Sequence, residues 1–227
     1  MSSLTTIFYS LLGGVLPALL WLWFWLKEDR LHPEPKARVI LVFLSGMASV
    51  FLVLPVEKFV YGIIPSVSIA TIMLWAAIEE ISKYIFAYFT ALRNKVVDEP
   101  IDAVIYMITA ALGFSALENT LFISNLVEAG SFSQSFITGN SRFLGATLLH
   151  VASSAAIGVT LGLSFYKKAW SKKVYLLVGL AVAVILHSAF NLLIINLEND
   201  LFFIFAGIWV LIVSLIVLIE KVKRVHS

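Results

Sequence analysis

The sequence predicts an all-α membrane protein, a polytopic bundle of about seven transmembrane helices, and three observations carry that prediction. Hydrophobic residues make up 60% of the 227 positions and charged residues only 13%, with a mean hydropathy of +0.97. So apolar a chain has too little polar surface to fold as a water-soluble globule. Apolar runs near the ~20 residues that cross a bilayer as a helix recur at roughly 4–26, 39–60, 67–92, 102–127, 143–166, 174–197 and 201–220. The basic residues are also segregated: of 16 Lys and Arg, 13 fall in the connections 27–38, 93–101 and 167–173 and in the tail after 220. These segments alternate along the chain and so share one side of the membrane. The positive-inside rule makes that side cytoplasmic, with the N-terminus outside and the C-terminus inside, as an odd number of spans requires. The expected location is the cell membrane. Connections this short leave room for no soluble domain, so we expect a single transmembrane helical domain over 1–227.

Taken in order, the first span lacks a basic leading region and an A-x-A-like cleavage site and reads as a retained helix. The connection after it carries Pro33-Glu34-Pro35, whose prolines stop helical continuation and predict a rigid interfacial turn. The third span holds Glu79, Glu80 and Lys83 inside an apolar run from Ser66 to Leu92. A charge at the bilayer centre costs roughly 2.5–3.5 kcal/mol on insertion scales, so all three need partners. On a helix Lys83 reaches either acid but neutralises only one. The fourth and fifth spans carry small residues, Ala110, Ala111, Gly113 and Ala116 on one and Gly145, Ala152, Ala155 and Gly158 on the other, which allow close helix approach. Between them, residues 128–142, with Phe132 and Phe136, read as an outer interfacial loop or gate. No internal repeat is visible, which counts against an inverted-repeat transporter. The absence of Cys excludes disulfides, thiolate metal sites and a Cys nucleophile. No nucleic-acid partner is expected.

Further polar groups lie within the later spans: Glu118 and Asn119 on the fourth, His150 on the fifth, His187 and Asn191 on the sixth. Counted from the outer end of each span, Glu79, Glu118, His150 and His187 fall within five residues of one level, about 7.5 Å along a helix. Singly, each has a structural explanation: a buried Glu80–Lys83 ion pair, histidines as interhelical donors, asparagines as packing contacts. Together they point to one site in the outer half of the membrane. Three chemistries suit two acids and two histidines. A carboxylate can act as general base on water while His and Asn stabilise an oxyanion. Alternatively, Glu79, Glu118, His150 and His187 can ligate a divalent metal such as zinc. The third is a proton or cation path. No H-E-x-x-H or G-x-S-x-G motif is present, although Ser82, Ser153 and Ser154 could lie near the site.

Glu79-Glu80-x-x-Lys83, Phe114-x-x-x-Glu118-Asn119, His150 and His187-x-x-x-Asn191, with Pro33-Glu34-Pro35 and Glu99-Pro100-x-Asp102, resemble in order the motifs of the PrsW family of intramembrane proteases. That family is related to the CAAX-processing prenyl endopeptidases and bacteriocin-immunity proteins. The resemblance covers about residues 27–192, which would form the protease core. Related clan members carry Arg where Lys83 stands and His where Glu118 stands. The resemblance implies hydrolysis of a peptide bond in a membrane-anchored protein, such as a single-span anti-sigma factor, near the extracytoplasmic side. By motif matching, Glu79 would be the base and Glu80 its electrostatic partner. Glu118 and His150 would position water or metal, and His187 and Asn191 would stabilise the oxyanion. A metal-free glutamate mechanism is slightly favoured over a metal-dependent one, because adjacent acids readily tune one another. A non-catalytic membrane adaptor or immunity protein and a small proton-coupled transporter are the other expectations.

Overall fold

A computed structural model describes residues 3–30, 32–128, 145–196 and 201–226. Among the described residues run seven α-helices and no strand: α1 Ser3–Trp25, α2 Lys36–Ile63, α3 Ile69–Ala87, α4 Asp102–Glu128, α5 Ala146–Leu163, α6 Ala169–Asn196 and α7 Leu201–Lys223. A 3-10 turn, Leu26–Asp29, follows α1, and a π-helical turn, Tyr88–Leu92, follows α3. The chain is a multi-pass all-α membrane bundle. Five helical stretches are long and apolar enough to cross a bilayer: Leu4–Asp29, Lys36–Ile63, Asp102–Glu128, Ala146–Leu163 and Ala169–Ile194. α3 and α7 place their charges differently. α3 holds Glu79, Glu80 and Lys83 in 19 residues, and α7 ends on Glu220, Lys221 and Lys223. The loop expected over 128–142, with Phe132 and Phe136, lies outside the described residues apart from Glu128.

Two helices extend past the hydropathy boundaries into charged sequence. α2 begins three residues before the apolar run and ends three after it, and α6 begins at Ala169 rather than 174. Lys36, Lys172 and Lys173 therefore sit inside helices, their long stems carrying the charge toward the headgroups while the backbone stays helical.

α4 is the centre of the bundle. Every residue from Asp102 to Ala116 is buried, and α1, α2, α3 and α5 all pack against it. Small residues set these distances. A Cβ on Gly46 would overlap the backbone of Ala110, and one on Gly113 would overlap the carbonyl of Phe43. The α2–α4 crossing is thus a reciprocal backbone contact. Gly158 lies in the same way on Ala103 and Val104, bringing α5 against α4. Without a hydrophobic drive in lipid, such close approach is what holds helices together.

The basic connections close one end of the bundle. The backbone N–H groups of Asp98 and Glu99 donate to Asp102 Oδ2 at 2.8 and 2.7 Å, tying the preceding turn to the first residue of α4. Tyr106 donates its hydroxyl to Glu34, and Asp29 accepts the Glu34 N–H at 3.2 Å, so the Pro33-Glu34-Pro35 turn is fastened to α4. Lys223 bonds Glu28 at 2.8 Å, drawing the end of α7 to the same face. The π-helical turn frees the Thr90 carbonyl, which Arg38 and Asn94 satisfy.

Candidate active site

Ser68 caps α3, its hydroxyl accepting the Thr71 N–H at 3.2 Å, and the helix then presents Glu79, Glu80 and Lys83 to the bundle interior. Lys83 is fully buried and bonds Glu80 Oε1 at 2.7 Å, with Glu79 Oε2 at 3.4 Å. Its ammonium also lies 4.4 Å from the centre of the Phe114 ring on α4. Glu80 is saturated. Its Oε1 accepts from Lys83 and from His187 Nδ1 at 2.8 Å, and its Oε2 accepts the Ser154 hydroxyl at 2.6 Å. One carboxylate thereby joins α3, α5 and α6.

Hydrogen bonding fixes the imidazole tautomers. A carboxylate only accepts, so His187 Nδ1 carries the proton given to Glu80. Its Nε2 lies 3.8 Å from Glu79 Oε2. His150 Nδ1 faces the Lys83 ammonium at 2.9 Å and accepts from it, so Nε2 bears the proton and donates to Glu118 Oε2 at 3.0 Å. The two rings meet edge to face, their centroids 5.0 Å apart. Glu79 Oε2 is buried and has no hydrogen-bond partner. Glu118 has a side chain 31% exposed and marks the open side of the cluster.

The structure therefore brings together Glu79, Glu80, Lys83, Glu118, His150 and His187. Asn191 lies one turn past His187 on α6, half-buried, and makes no hydrogen bond to a described residue. Asn119 turns to α5 instead, donating to Ser115 and Thr147 at 3.1 Å each. Of the candidate serines, Ser154 anchors Glu80, while the buried Ser153 hydroxyl is unpartnered. The Pro33-Glu34-Pro35 and Glu99-Pro100-x-Asp102 motifs lie at the opposite end. Tyr106, which holds Glu34, precedes Glu118 by 12 residues of α4, about 18 Å along the axis. There burial pushes the Glu34 carboxyl up to about 8, the nearby Asp102 charge adding to the shift and the Tyr106 hydrogen bond opposing it.

Sequence reasoning missed Glu57. This acid on α2 faces Glu79 and Glu118, close enough to Glu79 to share a hydrogen bond, and Trp75 Nε1 donates to its backbone carbonyl at 3.3 Å. The signal is an acid inside the second apolar run, 39–60, three residues from its end.

A metal can be tested against these donors. Ligand atoms of Glu79, His150 and His187, all buried, lie within 4.8 Å of one another. Two imidazole nitrogens and one carboxylate suit zinc, and Glu80 on His187 Nδ1 is the outer-sphere partner such a ligand needs. Glu79 Oε2, which has no hydrogen-bond partner, and His187 Nε2 lie 3.8 Å apart. His150 Nδ1 becomes available once Lys83 swings wholly onto the acids. The donor set thus fits a divalent cation, with Glu118 on the far nitrogen of His150.

The family model described as PrsW family intramembrane metalloprotease matches residues 34–219. Protease PrsW of Geobacillus kaustophilus is 27% identical over 193 residues, 82% of this chain and 80% of that one. Protease PrsW of Halalkalibacterium halodurans is 26% identical over 97% of this chain and 98% of its own length. Protease PrsW of Bacillus subtilis is 22% identical over 84% and 85%. No solved structure matches. The match spans α2 through most of α7, every helix of the polar cluster included, and the chain belongs to the PrsW family of intramembrane proteases.

Proposed function

We propose that the chain hydrolyses a peptide bond of a membrane-anchored protein near the extracytoplasmic face, with Glu79 as the base that activates water. The observation that carries this reading is the contrast between adjacent acids. Glu80 is saturated by three donors, whereas Glu79 keeps a buried oxygen without a hydrogen-bond partner, 3.8 Å from His187 Nε2. Glu79 takes a proton from water as the oxygen attacks the scissile carbonyl. His187, held by Glu80, relays that proton to the departing amine, completing addition of water across the C–N bond. His187 and Asn191, one turn apart on α6, stabilise the oxyanion. Glu118 and His150 position the water on the open side. The lysine-rich face lies opposite the cluster, and the positive-inside rule makes it cytoplasmic, so cleavage is extracytoplasmic. A single-span protein such as an anti-sigma factor is the substrate class proposed.

A second reading is favoured by the convergence of Glu79, His150 and His187 and by the family's description as metalloproteases. A divalent cation held there would supply Lewis acidity to water and carbonyl. One experiment addresses both readings. The purified protein is reconstituted in liposomes with a single-span substrate, and cleavage is measured alongside metal content and chelator response. Full cleavage by both Glu79→Ala and His187→Ala refutes hydrolysis at this site. Chelator-resistant cleavage by metal-free protein supports the glutamate reading, and stoichiometric metal with chelator-sensitive cleavage supports the second.

A further inference from the structure

At the end of the bundle away from the polar cluster, a cavity of about 450 Å³ opens between the π-helical turn, the end of α5 and the start of α6. Tyr84, Tyr88, Leu92, Leu161 and Leu176 are among its apolar walls, Lys172 and Lys173 are its charged lining residues, and the lining holds no acid. Both lysines are exposed. With Lys167 and Lys168 they make four cations in seven residues, none within ion-pair distance of a carboxylate among the described residues. Their contacts are aromatic: Lys172 lies 5.6 Å from the Phe165 ring and Lys167 5.7 Å from that of Tyr175. Trp170, 75% exposed, and Tyr166, 49% exposed, stand beside them, the side chains that seat at headgroup level.

From this arrangement we propose that the cavity binds a phospholipid with an anionic headgroup, the phosphate on Lys172 and Lys173 and the start of the acyl chains along Tyr84, Tyr88 and Leu176. Charge selects the occupant: two unpaired cations beside an apolar cleft at the membrane surface complement an anionic lipid and discriminate against a zwitterionic one. Size excludes the other candidate, a span of the protein substrate. A transmembrane helix about 10 Å wide and 30 Å long occupies roughly 2,400 Å³, several times the cavity. The π-helical turn also has a reason. Tyr88 and Leu92, its first and last residues, both line the cleft, and such turns recur where a helix is shaped around a ligand.

The test uses the full-length protein, purified in detergent, exposed to phosphatidylglycerol or phosphatidylcholine and examined by native mass spectrometry for retained lipid. The wild type is expected to retain one phosphatidylglycerol in preference to phosphatidylcholine. Lys172→Gln/Lys173→Gln should bind it about 30-fold more weakly, and Leu176→Trp, which fills the apolar wall, should also reduce retention. The double variant alters exposed side chains and should melt with the wild type, so its result stands even if Leu176→Trp does not fold. Equal retention of the two lipids by the wild type, or undiminished phosphatidylglycerol retention by the lysine variant, overturns the proposal.

Discussion

Replacing each acid of the Glu79-Glu80 pair by glutamine should give opposite phenotypes, although the residues are adjacent in one helix. Glu80 accepts from Lys83 at 2.7 Å, His187 at 2.8 Å and Ser154 at 2.6 Å. Glu80→Gln leaves a fully buried ammonium without its closest counter-charge, and breaking such a pair costs about 3–5 kcal/mol. For a chain of this size that lowers the melting temperature by roughly 6–20 °C. Glu79→Gln removes no hydrogen bond from Oε2, which has none, and its ion-pair contact with Lys83 is the longer one at 3.4 Å. Its melting temperature should stay within a few degrees of wild type, while loss of the base lowers cleavage by about 100- to 10,000-fold. Thermal melts in detergent and cleavage in liposomes, run on the same preparations, give the four numbers. Adding Lys83→Met to Glu80→Gln should recover much of the lost stability, because both halves of the buried pair are then gone. A Glu80→Gln protein that melts with the wild type, or an active Glu79→Gln protein, refutes the division of roles.

Three further outcomes follow from single contacts. Ser154→Ala removes the 2.6 Å bond to Glu80 Oε2 and should cost about 1.5–3 kcal/mol, read as a lower melting temperature with cleavage retained. Gly113→Val drives a side chain into the Phe43 carbonyl and should destabilise by about 1–3 kcal/mol or more, whereas Gly62→Val, with open space around its Cβ, should not; melts of the two distinguish them. Glu34, held up to about 8 by burial, binds a proton in the folded protein that an unfolded carboxyl releases near 4.3. Its stabilisation is present below that lower value and is lost as pH rises through about 8. Melting temperatures should therefore fall between pH 6 and 9 by the equivalent of about 1–2 kcal/mol after solvent screening, and Glu34→Gln should flatten that slope.

The helices and most of the cluster were readable because lipid makes polar residues conspicuous. An acid or histidine within an apolar run is a strong signal in one sequence, and depth counted from helix ends locates neighbours to about a turn. Glu57 was less conspicuous because it stands near the end of its apolar run, beside Lys58, where a charge reaches the interface. The unequal roles of Glu79 and Glu80 were not readable either. Both stand within helical reach of Lys83, and what separates them is Ser154 and His187, contributed by other helices. The Pro33-Glu34-Pro35 turn belongs to the same ordered motif set, yet order in sequence does not carry distance, and α4 holds it about 18 Å from Glu118.

Charge balance in the cluster bears directly on the metal question. Glu57, Glu79, Glu80 and Glu118 bring four carboxyl groups to one ammonium, which also donates to His150, while His187 donates to Glu80. Glu80 and Lys83 cancel, leaving three carboxyl groups around the unpartnered Glu79 oxygen. Uncompensated buried charge costs several kcal/mol per ion, so these three either share protons, as the Glu57–Glu79 contact permits, or draw in a cation. Glu57→Gln separates the cases. It removes one carboxyl group while keeping Glu79, His150 and His187, the three donors placed for a metal. If a cation supplies the balance, its affinity should fall about 10- to 100-fold, and the chelator concentration that halves cleavage should fall in proportion. If protons supply it, the variant should cleave as indifferently to chelator as the wild type. Chelator titrations of the two proteins in the same liposomes read this, and on the glutamate reading the curves coincide. A chelator response that appears or sharpens in Glu57→Gln refutes that reading.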